Sequence, residues 1–148
     1  MNLINTNDFK NCLNFGKTSC TENGRTFKID PASREERKKI KRIKVDDCIY
    51  NSNDSVVRCD YIFELKDVFS CFIELKGKDI KHAVDQLESS LKRISVTGKK
   101  HAFIVSSKND LPNAKTDYQK WLRMFKKKYQ TKFDMKNVLM SKSINELK

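Results

Sequence analysis

Two β-prone runs, "RCDYIFEL" (58 to 65) and "VFSCFIELK" (68 to 76), are separated by only Lys66 and Asp67. Aromatic and β-branched residues at that spacing predict an antiparallel hairpin. Gly77 ends it, and from Asp79 the period changes. Ile80, Ala83, Val84, Leu87, Leu91 and Ile94 fall on one face of a helix of about four turns. A hairpin that runs straight into an amphipathic helix has to be layered, its sheet covered by that helix.

The flanking segments extend this frame. "DPASREERKKIKRI" reads as a helix start, with Pro31 and Ser33 ahead of a charged segment and Ser33 and Glu36 at capping-box spacing. "KVDDCIY" (44 to 50) reads as a strand ended by the turn cluster "NSNDS". After a break at "VTGKK", the apolar "HAFIVSS" (101 to 107) reads as a buried strand. Tyr118, Trp121, Leu122, Phe125 and Tyr129 then keep helical spacing, and core packing explains this stripe better than a base-stacking platform. The tail adds a strand near 136 to 141 and a frayed end. Residues 1–30 show no clear periodicity and read as an irregular arm, with 31–148 as one domain. The expected class is α/β, an αβββαβ core plus a C-terminal helix, with helices covering both faces of a mixed sheet.

A chain of 148 residues suits a single domain. Charged residues at 34% and hydrophobic ones at 38% fit a globular protein and not a disordered one. No apolar run is long enough to span a bilayer, and "MNLINTNDFKNCLNFGK" lacks the layout of a signal peptide, so a cytoplasmic or nucleoid-associated protein without membrane contact is expected. Cys12, Cys20, Cys48, Cys59 and Cys71 form an odd count without a CxxC pair. Free thiols in a reducing compartment suit them better than a disulfide framework, and as zinc ligands Cys12, Cys20 and Cys48 match no usual spacing.

The net charge of +12 is concentrated. Residues 25 to 44 carry nine Lys/Arg against three acids, and residues 99 to 132 carry ten against two. Two basic stretches suit a polyanion, most simply nucleic acid, because neutralising phosphates releases counterions. A solvated lysine-rich surface is the plain alternative.

The hairpin's second strand closes on an acid and a base. Alternation puts Glu74 and Lys76 on one face with Phe72, and Ile73 and Leu75 on the other. Asp60, at the start of the preceding strand, is the third candidate. A three-residue loop is expected to set Asp60 opposite Lys76 and a five-residue loop opposite Glu74, whereas a two-residue turn opposes it to Leu75 and separates the set. Two converging carboxylates offer hard oxygens to Mg²⁺, whose remaining places go to water and phosphate oxygens. A nearby ammonium then orients water or offsets charge in the transition state.

Asp60, thirteen intervening residues and Glu74-Leu75-Lys76, followed by a helix and a strand, resemble the PD-(D/E)XK (restriction-endonuclease-like) nuclease superfamily over roughly residues 32 to 107. The resemblance implies an Mg²⁺-dependent nuclease (Mn²⁺ as substitute), with DNA favoured over RNA. It makes Asp60 and Glu74 metal ligands and Lys76 the catalytic lysine, with Cys59 where the family name has proline. It also suggests a glutamate from the first helix. Glu36, Ile40 and Ile43 share a helical face, so Glu36 is a metal ligand or the capping partner of Ser33. Gln86 stands where one branch of the superfamily often has glutamine, here without the following tyrosine, and is a supporting residue or a surface one.

Lys78, Lys81, Lys120, Arg123, Lys126 and Lys127 are candidate phosphate contacts or a solvated face. Glu64 and Lys66 repeat the Glu-Leu-Lys spacing but read as hairpin surface, and His82 and His101 lack catalytic partners. An inactive nucleic-acid-binding module or interaction subunit of the same fold is the alternative function. A homodimer, or a place in a larger nucleic-acid-processing complex, suits a domain this small.

Overall fold

The computed structural model describes residues 11–31, 33–49, 58–76, 79–107 and 115–148. Nine strands and four helices are defined among them. They are β1 (Leu13–Phe15), β2 (Ser19–Glu22), β3 (Arg25–Asp30), α1 (Arg34–Lys39), β4 (Lys41–Lys44), β5 (Tyr61–Leu65), β6 (Phe69–Lys76), α2 (Ile80–Arg93), β7 (Lys99–Ser106), α3 (Lys115–Tyr129), β8 (Thr131–Asn137), β9 (Leu139–Ser143) and α4 (Ile144–Leu147).

The central sheet has six strands in the order β1-β4-β5-β6-β7-β8. β1, β4, β5 and β6 are antiparallel neighbours, while β6, β7 and β8 run parallel. The parallel half is built by two crossovers, β6-α2-β7 and β7-α3-β8, whose helices lie on one face. There Phe72, Ile104 and Ala102 pack against Ala83, Val84 and Leu87 of α2 and Phe125 and Tyr129 of α3. The other face is covered mainly by a second sheet, β2-β3-β9, together with α4. Phe27, Ile29, Met140, Ile144 and Leu147 pack there on Phe63, Ile73 and Phe103. A sheet buried on both faces accounts for the near-continuous apolar sequence of β6 and β7.

The expected order of helix, three strands, helix, strand, helix is present as α1-β4-β5-β6-α2-β7-α3. Helices do not cover both faces, however, because the second layer is mostly sheet. Residues 11–30 are not an irregular arm: β1 extends the main sheet and β2-β3 forms the second one. The hairpin turns on Asn23 and Gly24, both at positive φ (49° and 79°), as a primed two-residue turn requires.

α1 keeps its Ser33 cap, whose side chain accepts from the Glu36 N–H, but it stops at Lys39. Ile40 is extended, and Ile40 and Ile43 enter opposite cores, so the β-branched residues of "IKRIK" make β4, the first of the three core strands, at 41–44 in place of the expected 44–50. The tail holds two strands, parted at Val138 (φ 65°), and its end is a capped helix and not a frayed one. Among the described residues no helix is long and apolar enough to cross a membrane.

Candidate active site at the end of the hairpin

The β5-β6 connection is the three residues Lys66–Val68, with Asp67 at positive φ (64°) and Leu65 opposite Phe69. This loop does not set Asp60 opposite Lys76. Tyr61 is the Cα partner of Ile73, and the Asp60 N–H also donates to the Ile73 carbonyl (3.0 Å). Asp60 and Tyr61 therefore share one partner residue, which is a bulge. One consequence is that Cys59, three residues from Ile62, enters the same core as Ile62 and Phe72.

The bulge turns Asp60 toward the strand end. Its Oδ2 accepts the Leu75 N–H at 2.8 Å, so the aspartate binds the middle residue of Glu74-Leu75-Lys76. Asp60 is 6% exposed and Glu74 2%. Burial pushes the Cys59 thiol up, and the charges of Glu74 and Asp60 push it further, so both carboxylates act on this one sulfur. Lys76 closes β6, but the role expected of its side chain lies outside the described residues, as does Lys78.

Gln86 is half-buried on α2, and its Nε2 donates to the Arg58 carbonyl (3.0 Å). It thereby fixes the chain two residues before Asp60. The Arg58 guanidinium in turn holds Asp46 (2.9 Å), and the Val45 N–H donates to the Asp60 carbonyl (2.9 Å). Asp60 is thus braced from β4, β6 and α2.

Glu36 lies elsewhere. Besides the Ser33 cap, it faces Lys148 Nζ (3.8 Å), and the Lys148 carbonyl accepts from Lys99 at the start of β7. Lys99 stands six residues along β7 from Val105, the partner of Leu75, roughly 20 Å at the usual strand rise. The first-helix glutamate fails to join Asp60 and Glu74 because the helix ends before the turn that the Glu36, Ile40 and Ile43 spacing needs.

Glu22 is a carboxylate that sequence reasoning missed. It ends β2 beside the Asn23-Gly24 turn and is half-buried. Burial raises its carboxyl pKa and the charge of Asp60 adds to this, with Lys44 and Arg25 opposing. The signal was "ENG", an Asn-Gly between alternating residues. Glu64 was read as surface but is buried, accepting from Thr97 N–H (2.9 Å) and pairing with Lys41 (3.5 Å). No three His, Cys, Asp or Glu side chains among the described residues are grouped so as to hold a metal.

Lys81, Lys120, Arg123, Lys126 and Lys127 are exposed on α2 and α3. Trp121, Phe125 and Tyr129 pack inward, with Phe125 stacked on Phe133 at 4.8 Å, so the stripe is core. A cavity of about 760 Å³ opens by His101, Phe103 and Thr131, at the far end of β7 from Leu75. The thiols are not all free: Cys12 and Cys48 form a disulfide, while Cys20, Cys59 and Cys71 are free and buried. Cys20 lies in the core opposite Cys12 and Cys48, so the three zinc candidates do not gather. No protein-family model, curated protein or solved structure matches the chain.

Proposed function

We propose that the chain is a metal-dependent nuclease of the PD-(D/E)XK kind, cleaving phosphodiester bonds of nucleic acid, with DNA favoured. The observation that supports this most is the Asp60 carboxylate bound across the hairpin to the N–H of Leu75, the residue that follows Glu74 at the end of β6. Two carboxylates at one strand end suit Mg²⁺, which takes one or two protein carboxylates and leaves its other places to water and phosphate.

Asp60 and Glu74 would hold the ion. When bound, it supplies a water of lowered pKa and offsets phosphate charge. Lys76 is assigned the charge-stabilising role at the scissile phosphate, Gln86 positions the Arg58–Asp60 segment, and the exposed cations of α2 and α3 attract the polyanion.

A second reading, a binding module without catalysis, is favoured by the depth of both carboxylates and by Asp60 already bonding main chain. A cleavage screen over single-stranded, duplex, branched and RNA substrates, with and without Mg²⁺, separates the two. Catalysis predicts metal-dependent products, with Lys76→Ala lowering the rate by about 10²- to 10⁴-fold in a folded protein. Salt-sensitive binding with no products under any metal selects the second reading, and cleavage unaffected by Glu74→Ala and Lys76→Ala overturns this site.

A further inference from the structure

The β1 edge of the central sheet carries a second feature, away from the carboxylates on β5 and β6. Phe15, on edge strand β1, is 65% exposed. Its neighbour Leu13 is opposite Ile43 and packs on the core, whereas Phe15 is opposite Lys41, whose Nζ stands 5.7 Å from the ring centroid. The backbone beneath the ring is held firmly. Gly16 (φ +83°) donates its N–H to the Ile40 carbonyl (2.9 Å), and its own carbonyl accepts from Arg37 Nε (3.1 Å). A groove of about 610 Å³ adjoins it, lined by Gly16, Pro31, Ser33, Arg34, Arg37 and Lys38. α1 buries none of its residues, so its cations are presented to solvent.

We propose that Phe15 and the α1 groove form a binding site for a single-stranded segment of nucleic acid, a base stacking on Phe15 and phosphates lying along Arg34, Arg37 and Lys38. This inference rests on the nucleic-acid part of the reading above and not on catalysis. A fixed aromatic face beside a row of cations matches a base and its backbone together. An anionic membrane would want several apolar side chains, but among the described residues the other exposed large hydrophobics, Val138 and Leu139, lie at the β8-β9 junction. A second copy would set one cationic surface against another. Phe15 shares a ladder row with Lys41 and Glu64, two strands from β5 and four residues from Asp60. That is roughly 16 Å, a span of about five stacked nucleotides. The site would hold a strand whose continuation reaches the carboxylates.

Fluorescence anisotropy in EDTA tests this without cleavage, using the full chain with a labelled DNA oligonucleotide of about twelve nucleotides, single-stranded or annealed. Phe15→Ala is expected to weaken single-strand binding about tenfold and to leave duplex binding unchanged, while Phe15→Tyr keeps the affinity. Arg34→Gln with Lys38→Gln should lower the salt slope by about 0.7 per charge removed. Unchanged single-strand affinity in Phe15→Ala overturns the proposal, as does equal loss on duplex. So does a Phe15-dependent preference for phosphatidylserine vesicles over the oligonucleotide, or a dimer in sedimentation that Phe15→Ala dissociates. If nothing binds, this site falls, while the nuclease reading is decided by the cleavage screen. Phe15-dependent binding with no cleavage in the separate screen removes catalysis alone.

Discussion

Under the proposed nuclease reading Asp60 has two jobs that substitution can part. Asn keeps an acceptor for the Leu75 N–H but not the charge, whereas Ala leaves that buried donor unmet, at a cost of about 1–3 kcal/mol. Asp60→Asn should therefore melt near the parent temperature and fail to cleave with Mg²⁺, while Asp60→Ala loses both stability and activity. Calorimetry beside the cleavage assay checks this, and an active Asp60→Asn would remove the aspartate from the site. His101 makes a pH prediction. It is buried, its Nε2 is 2.8 Å from the Leu147 carbonyl, and burial lowers its pKa from the ordinary value of 6.5. The unfolded chain then takes up the proton first, so stability is full above that value and falls as pH drops toward the folded pKa. His101→Gln should flatten melting temperature against pH between about 7 and 5. At this scale the Asp60, Glu74 and Lys76 set was legible as spacing. The bulge was not, because one extra residue changes which face a side chain takes without changing composition.

Elements with one dominant period were legible, and those whose pattern is shared between two states were not. β5, β6 and β7 follow from runs of β-prone apolar residues, and α2 and α3 from the helical repeat. "KKIKRIK" satisfies both, and the strand wins because Ile43 has a partner in Ile62. The β2-β3 hairpin was hidden by its brevity, although Asn23-Gly24 announced it. Gly98 tests the join of α2 to β7. It has φ +75°, and a Cβ there would stand 2.4 Å from the Val68 carbonyl carbon, main chain that cannot yield. Gly98→Ala should cost at least about 2 kcal/mol and lower the melting temperature by about 5 °C. Gln86→Leu removes the tie to the Arg58 carbonyl at about 1 kcal/mol. It should slow cleavage more than it weakens binding if the segment before Asp60 is what Gln86 positions.

Across the whole molecule, the disulfide joins the start of β1 to the segment after β4 over a separation of 36 residues. Closing a loop of that size is worth about 4 kcal/mol in the chain-entropy account. Cys12→Ser should unfold at markedly lower urea than the parent, and dithiothreitol should bring the parent down to the variant. Equal midpoints without reductant would mean that the bond does not form in solution. Sequence alone pointed to free thiols because pairing depends on which segments fold together, and spacing does not carry that. The second sheet has a consequence in time. β3 is paired with β9, which emerges more than a hundred residues later. At ribosomal speeds of about 5–20 residues per second, one flank of the hairpin carrying Glu22 stays without its strand partner for on the order of five to twenty seconds, so the second sheet is completed late.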